Sequence, residues 1–415
     1  MAILFKRLAA AVVGLAFLSG CGASPKAMPN PAPSGGLRVL VFYDPSAEPT
    51  SGTILPLIAA NRAAISDLAP LWYKVNADGS VTDVSTSALK TFAKNNNIKL
   101  EPLVINAGGT SSFLLNGTAR QAAVTNLVKV LQDNSYAGLN IDFELLKTSA
   151  RSGLVSFMQA LHAKAQSMGK LITIDIIPAG NGRQAAGAYN FPVLAKNASE
   201  VVLMTYDQHD DGSPPGPVAD TSWVKSRVAE ALKLGVPPSK LILGLADYGY
   251  DWVKGSTHAK TLPLSQIETW ITQGKAKITR DASGSPHFTY TSGGVTHIVW
   301  FEDGRSILPK IALARKDHLE GLAVWMGGYE TAAYWSDLRQ AAGIPGGQLS
   351  TFGSGTSAKV GSASASHSSS GGSSSKAKAS GSGSRSATGG SSATSGSASS
   401  GSSGSVPGST AASSS

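Results

Sequence analysis

Eight short runs of apolar and β-branched residues recur along the chain, and they restrict its fold more than any other feature. The runs are LRVLVFY from Leu37, APLWYKV from Ala69, LEPLVIN from Leu100, AGLNIDFE from Ala137, LITIDIIP from Leu171, EVVLMTYD from Glu200, LILGLADYGY from Leu241 and GLAVWMGG from Gly321. Stretches with helical periodicity lie between them, for example from Ala119, Ser152 and Ser222. Eight strands alternating with helices favour a closed α/β barrel, the (β/α)8 or TIM barrel, over an open doubly wound sheet.

The connection between the seventh and eighth runs is longer than the others. Residues 278–301 have the pattern of short strands, with turn residues at 281–285 and at Gly293-Gly294. We therefore expect a small α+β insertion over about residues 253–305, on the rim of a barrel that occupies residues 37–346.

The N-terminus has the features of a bacterial export signal. Lys6 and Arg7 precede an apolar run over residues 8–18 that is too short to span a bilayer comfortably. The run ends in Leu-Ser-Gly followed by Cys21, which resembles the lipobox of bacterial lipoproteins. We expect a signal peptide over residues 1–20 and lipidation of Cys21. The protein would then lie outside the cytoplasm, anchored to a bacterial membrane in the outer membrane and periplasm or at the cell surface.

The two ends of the chain account for most of its net positive charge. Residues 21–36 are mostly small residues and proline, which predicts a tether, and residues 347–415 are mostly Ser, Gly and Ala, which predicts a disordered tail. Of the formal net charge of +9, three positive charges precede residue 37 and four lie in the tail, so the barrel region keeps only +2. A nearly neutral barrel gives no electrostatic reason to expect a nucleic-acid partner.

The fourth run carries the side chains best suited to chemistry. Because side chains alternate along a strand, Asn140, Asp142 and Glu144 point to one side, and the apolar residues between them point to the other. The polar side would face the barrel interior, with both carboxyls at the C-terminal end, where barrel enzymes keep their active sites. Two such carboxyls couple, so one would retain its proton and serve as a general acid. Alternatively, they could pair with Arg or Lys at the barrel mouth.

Two other runs end in residues that suit a sugar site. Met204 and Tyr206 share one side of the sixth strand, so the tyrosine can reach the pocket, and Trp325 near the end of the eighth strand offers a flat face for stacking. Alone, each aromatic residue is also compatible with ordinary core packing.

Together these residues resemble the family 18 glycoside hydrolases, the chitinase-like enzymes. The family motif Asp-x-x-Asp-x-Asp-x-Glu reads Ala137-x-x-Asn140-x-Asp142-x-Glu144 here, so its first two acidic residues are replaced. The sixth-strand Met-x-Tyr-Asp sequence, the insertion and Trp325 also match. The stretches from Met204, Leu241 and His297 resemble the branch of spore-cortex and cell-wall N-acetylglucosaminidases.

The resemblance implies a substrate-assisted retaining mechanism on polysaccharides that contain N-acetylglucosamine. Glu144 would be the proton donor, Asp142 would hold the substrate acetamide N–H, and Tyr206 would bond to the acetamide oxygen. The remaining expected substrate-binding residues are Asn140, Met204, Asp207, Tyr248 and Trp325. We expect a monomer without a cofactor. The expected surface anchor and the resemblance to the cell-wall branch favour peptidoglycan or its fragments over chitin.

Two other functions compete with this interpretation. The first is a barrel that binds glycans without cutting them, as chitinase-like lectins do, although the presence of Glu144 disfavours it. The second is a metal-dependent hydrolase built on His209, Asp210 and Asp211. The sequence offers no histidine pair at ligand spacing, so we expect no metal site.

Overall fold

The computed structural model describes residues 36–47, 54–179 and 187–350. The predicted signal peptide, Cys21, nearly all of the tether and all but the first residues of the predicted disordered tail lie outside these ranges. None of the helices in the described part combines the length and apolarity that a bilayer crossing requires.

The described residues form fifteen strands and ten α-helices. The strands are β1 (Arg38–Tyr43), β2 (Asp67–Val75), β3 (Val81–Asp83), β4 (Lys99–Leu100), β5 (Leu103–Asn106), β6 (Gly138–Asp142), β7 (Leu171–Ile176), β8 (Glu200–Leu203), β9 (Leu241–Ala246), β10 (Tyr248–Val253), β11 (Ala259–Pro263), β12 (Thr279–Arg280), β13 (Pro286–Ser292), β14 (Val295–Phe301) and β15 (Gly321–Trp325). The helices are α1 (Ile54–Ala60), α2 (Ser87–Asn95), α3 (Ser112–Leu115), α4 (Gly117–Asp133), α5 (Arg151–Ser167), α6 (Phe191–Lys196), α7 (Thr221–Lys233), α8 (Leu264–Thr272), α9 (Gly304–Lys316) and α10 (Ala332–Ala342).

Parallel strands close into the predicted barrel. In the described ranges its order is β1, β2, β5, β6, β7, β8, β9 and β15, and β1 pairs with both β2 and β15, which completes the circle. Each of the eight apolar runs supplies one of these strands. The predicted helices from Ala119, Ser152 and Ser222 are α4, α5 and α7. The (β/α)8 prediction is confirmed.

The connection between β9 and β15 forms the predicted α+β insertion. The insertion consists of an antiparallel sheet of order β11-β10-β14-β13-β12 and the helix α8, which lies between β11 and β12 in the chain. The turns of the sheet fall at 281–285 and at Gly293-Gly294, as predicted. The insertion starts earlier than expected, since the run from Leu241 that we predicted as one strand is two. β9 pairs in parallel with β15, whereas β10 pairs antiparallel with β14 and β11, so the chain changes partners at Asp247.

An ion cluster fills the barrel interior at its N-terminal end. Arg38 at the start of β1 donates from Nε to Asp67 Oδ2 at 2.7 Å, and its other nitrogens bond to Glu101 and Glu200. Thr173 Oγ1 donates to Glu101 Oε2 at 3.1 Å. All three carboxylates belong to buried residues. Asp67 and Glu200 begin β2 and β8, and Glu101 lies between β4 and β5, so this guanidinium ties together parts of the chain that are far apart in sequence.

Replacement of Arg38 by Met should destabilise the barrel strongly. It leaves buried carboxylates without their cation, which costs about 3–5 kcal/mol in comparable sites. The measurement is the free energy of unfolding from urea titration. Lys129→Met is the matched control, because it removes the exposed pair with Asp133 and should cost less than about 0.5 kcal/mol. Equal losses in the two variants would contradict a stabilising role for the Arg38 cluster.

Candidate active site

Three carboxyl groups meet at the C-terminal end of the barrel. Ile141 and Ile174 are paired on β6 and β7, so the next residues, Asp142 and Asp175, lie beside each other on strands about 4.8 Å apart. Glu144 follows two residues after the end of β6. Asp142 is 3% exposed, Asp175 1% and Glu144 8%, so the group is withdrawn from solvent.

Burial and mutual repulsion keep protons on this group. Burial raises the pKa of Asp142 well above its ordinary value, and the charges of Glu144 and Asp175 raise it further. Burial also raises the pKa of Asp175, the Asn140 amide beside it acts in the opposite direction, and the charges of Glu144 and Glu101 add to the rise. Asp142 and Asp175 therefore titrate as interacting groups, and both retain protons at higher pH than an ordinary aspartic acid does.

Two tyrosines lie within electrostatic reach of these carboxyls. Burial raises the pKa of Tyr206 well above its ordinary value, followed by the charges of Asp175 and Asp142, so its hydroxyl stays protonated and can donate a hydrogen bond. Burial also raises the pKa of Tyr189, and the charges of Glu144 and Asp142 raise it further. Its Oη donates to the Phe143 carbonyl at 2.8 Å, next to Glu144 in the chain.

Several buried polar atoms in this region have no hydrogen-bond partner among the described residues. They are Asp142 Oδ1, Asp175 Oδ1 and Tyr206 Oη. Burying such atoms is unfavourable unless a ligand or water bonds to them. This set marks the part of the barrel end where a polar ligand would be held.

Asn106 fixes the backbone of Glu144. The β5–β6 ladder ends at Ile105 and Asp142, so Glu144 lies beyond its last pair. Asn106 Nδ2 donates to the Glu144 carbonyl at 2.8 Å, and Asn106 Oδ1 accepts the Glu144 N–H at 2.9 Å. The side-chain amide of Asn106 therefore takes the place of a peptide group in the ladder and holds the backbone of Glu144 in a fixed position.

Asp207 connects the end of β8 to the insertion. Asp207 Oδ1 accepts hydrogen bonds from Tyr248 Oη at 2.5 Å and Tyr250 Oη at 2.8 Å. The Tyr248 ring lies 6.3 Å from the Tyr206 ring in an edge contact. The structure therefore brings Tyr206, Asp207 and Tyr248 together, and it adds Tyr250, which the sequence analysis did not select.

Trp325 and Met204 lie at the same end of the barrel. Trp325 is the last residue of β15, is 9% exposed, and packs on Phe42 with ring centroids 5.2 Å apart. Asp247 Oδ1 accepts the N–H of Met326 at 2.7 Å and fixes the chain that follows the tryptophan. Met204 is buried directly after β8.

The residues of the metal alternative take part in loop contacts. His209 Nδ1 lies 3.1 Å from the Pro214 carbonyl oxygen, and Asp211 Oδ1 accepts the Ala259 N–H at 3.0 Å and lies 3.2 Å from His258 Nδ1. A search of the described residues finds no group of three or more His, Cys, Asp or Glu side chains arranged to hold a metal ion.

Comparison with known proteins identifies the family of this barrel. The model of glycosyl hydrolases family 18 matches residues 43–330. The chain belongs to family 18 of the glycosyl hydrolases.

Relatives of the family 18 chain include glycosylases, cortical fragment-lytic enzymes and a class V chitinase. A glycosylase of Bacillus subtilis, YvbX, is 26% identical over 73% of this chain and 95% of its own length. A cortical fragment-lytic enzyme of Bacillus cereus is 24% identical over 71% of this chain and 72% of its own. Membership of the family and these relatives make the protein a glycosidase.

Solved structures agree with the family assignment. A chitinase from Chromobacterium violaceum superposes with a TM-score of 0.67 at 26% identity, over 74% of this chain and 98% of its own. The spore cortex-lytic enzyme SleL of Bacillus megaterium has a TM-score of 0.66 at 25% identity, over 77% of this chain and 76% of its own.

The fourth-strand motif of this family 18 barrel lacks two acidic side chains. Ala137 precedes β6, and its N–H donates to the Leu100 carbonyl at 2.8 Å. Asn140 is fully buried on β6. The carboxyl beside Asn140 comes instead from Asp175 on the next strand.

The sequence analysis missed four residues of this site, namely Asn106, Asp175, Tyr189 and Tyr250. Asp175 carried a signal, because Thr173 and Asp175 alternate with isoleucines in LITIDIIP just as Asn140 and Asp142 alternate in the fourth run. The contacts of Asn106 and Tyr189 are with backbone atoms of residues 143 and 144, and no pattern in the sequence encodes them.

Loss of the Asn106 amide should impair catalysis more than folding. In Asn106→Ala the Glu144 backbone loses two hydrogen bonds, and a displacement of about 1 Å at a reacting group can reduce turnover about a hundredfold. The measurement is kcat on a chitooligosaccharide, with circular dichroism as the check on folding. Asn126→Ala is the matched control, because Asn126 Nδ2 donates to the Gly79 carbonyl at 3.0 Å away from the site. A wild-type kcat for Asn106→Ala would show that Glu144 does not need this clamp.

Proposed function

We propose that the protein hydrolyses glycans containing β-linked N-acetylglucosamine by a substrate-assisted mechanism, with Glu144 as the proton donor. The observation that carries the proposal is the coupled group of Asp142 and Glu144, buried beside the Tyr206 hydroxyl at the catalytic end of a family 18 barrel. Family membership and the chitinase and cortex-lytic relatives support this class of substrate.

The first step breaks the glycosidic bond with help from the substrate. Glu144 gives its proton to the leaving oxygen, the bond from C1 to that oxygen breaks, and the acetamido oxygen bonds to C1. The oxazolinium ion that forms carries positive charge. Asp142 accepts the acetamide N–H and offsets that charge, while Tyr206 donates a hydrogen bond to the acetamide oxygen.

The second step returns the enzyme to its starting state. Water attacks C1, Glu144 takes the proton of that water, and the acetamide is restored as its oxygen leaves C1. Two displacements at C1 give a product with the anomeric configuration of the substrate. Asp207 and Tyr248 support the pocket from the end of β8 and the insertion, and Trp325 forms its apolar floor.

The names of the relatives favour the cell wall as the source of the glycan. Several matched proteins are cortical fragment-lytic enzymes, so we propose peptidoglycan or its fragments as the substrate and chitin as the second candidate. The signal-like N-terminus supports this choice, because it would place the enzyme outside the cytoplasm, where peptidoglycan lies.

Replacement of the proton donor tests the mechanism. Glu144→Gln keeps the size of the side chain and removes its proton, so turnover should fall about a thousandfold or more. Asp142→Asn should lose about a hundredfold, because an amide retains part of the hydrogen bonding but not the charge. Mass spectrometry of products from purified sacculi and from chitooligosaccharides measures both variants and identifies the bond cleaved.

The control for these variants is Glu320→Gln, which changes a carboxyl just before β15, at the opposite end of the barrel. It should retain wild-type turnover. Proton NMR of the first product reports its anomeric form, which should be the β form. Wild-type hydrolysis by Glu144→Gln, or an inverted product, would overturn the mechanism, and glycan binding without cleavage by the wild type would favour the lectin alternative.

Lipidation of Cys21 is tested separately. Cells expressing the protein should incorporate labelled palmitate into it, and Cys21→Ser should remove the label and move the protein from the membrane to the soluble fraction. Ser24→Ala should keep both properties. Equal labelling of Cys21→Ser and wild type would contradict the anchor.

A further inference from the structure

Asp142 and Asp175 form a carboxyl pair between neighbouring strands. They follow the paired residues Ile141 and Ile174, both face the barrel interior, and each is almost fully buried. Each has one oxygen, Oδ1, without a hydrogen-bond partner among the described residues. None of the ion pairs found in that part of the chain joins Asp142 or Asp175 to a cation.

The groups described around Asp175 include no cation, so a proton is what relieves the repulsion between Asp142 and Asp175. Negative charge comes from Asp142 at the end of β6, from Glu144 just after it, and from Glu101 before β5. The phenols of Tyr206 and Tyr189 remain protonated. Asn140 is a neutral amide. Arg38 is bound to the carboxylates at the opposite end of the barrel. When two buried carboxyls lie side by side, their repulsion is relieved if they hold one proton between them.

We propose that Asp175 is the positioning residue that replaces the carboxyl missing at Asn140, sharing one proton with Asp142 so that Asp142 meets the substrate acetamide as a hydrogen-bonded anion. The inference rests on the proposed function, because it assumes that Asp142 must accept the acetamide N–H. An amide at position 140 can donate a hydrogen bond, but it cannot take up or release the proton. Asp175 supplies that capacity from β7.

The proton balance within the pair is simple. With one proton for two carboxyls, Asp175 holds it and donates its O–H to Asp142, which carries the negative charge. As positive charge develops on the oxazolinium ion, Asp142 turns its charge to the acetamide N–H and the proton stays on Asp175. No proton leaves the pair, so Glu144 keeps its own for the leaving oxygen.

The decisive experiment compares Asp175→Ala, Asp175→Asn and the double variant Asn140→Asp with Asp175→Ala. The readout is kcat and KM on chitooligosaccharide across the pH range. At the first ionisation of the pair, Asp175 is protonated and uncharged, and its O–H stabilises the Asp142 anion. Asp175→Ala removes that donor, so the pKa at which Asp142 first ionises rises: kcat should fall about tenfold and the acid limb should move about one unit to higher pH. KM should change little. Asp175→Asn keeps a donor and should lose less activity than Asp175→Ala.

The double variant returns a carboxyl to the site from the neighbouring strand. It should recover most of the lost kcat and bring the acid limb back toward wild type. A purely structural role for Asp175 predicts no such rescue, because Asn140→Asp adds a buried acid without refilling the space left on β7. An unchanged acid limb in Asp175→Ala, or a double variant no better than the single one, would overturn the inference.

Thermal unfolding gives a readout that does not depend on turnover. A carboxyl whose pKa is raised in the folded state contributes stability at low pH that is lost as the pH rises through the folded-state pKa. Asp175→Asn should therefore increase Tm relative to wild type at alkaline pH, with a gain that shrinks toward acid pH. A gain that is absent or independent of pH would contradict the shared proton.

The two proposals fail in different ways. If Glu144→Gln is fully active, the proposed function fails, while the Tm comparison still tests the pair. If Glu144→Gln is inactive and Asp175→Ala has the wild-type acid limb, only the role of Asp175 fails.

Discussion

Closing parallel strands into a barrel sends every second side chain into one narrow interior, and the site depends on how this interior balances charge. At the N-terminal end Arg38 neutralises carboxylates from three other parts of the chain. At the C-terminal end Asp142 and Asp175 have no such cation in the described ranges. Glu101 links the ends, since it binds Arg38 and its charge also raises the pKa of Asp175. The two sets of carboxyls are therefore neutralised differently. A guanidinium neutralises the set at the N-terminal end of the barrel, and protons neutralise the set at the C-terminal end.

This difference separates stability from chemistry. A buried carboxylate paired with arginine serves the fold, because removal of either partner leaves an uncompensated buried charge. Carboxyls neutralised by protons can exchange them within the range in which an enzyme works, which is the property that acid–base catalysis needs. Because side chains from neighbouring strands meet in one interior, the amide at position 140 does not leave Asp142 without a neighbouring carboxyl. Asp175 reaches the same layer from the adjacent strand.

Periodicity in the sequence predicted the barrel strands and the inward side of β6, because both follow from backbone geometry alone. The same alternation in LITIDIIP indicates that Asp175 also faces the interior. The clamp of Asn106 on Glu144 is different, since it depends on where the β5–β6 ladder ends. The break at Asp247 is also hidden, because one continuous apolar run serves a parallel strand and then an antiparallel one. Where a strand ladder ends, and where a strand changes its pairing partner, are determined only in the folded chain.

The insertion is mechanically part of the catalytic end rather than an independent wall. Asp207 has a backbone φ of 57°, in the left-handed region that costs a non-glycine residue about 1 kcal/mol. Two phenol hydrogen bonds from β10 hold its carboxylate in this position. The preceding residue is Tyr206, so the turn that presents its hydroxyl is fixed by the insertion sheet. A change that shifts β10 would therefore also move the turn at Asp207 and the Tyr206 hydroxyl beside it.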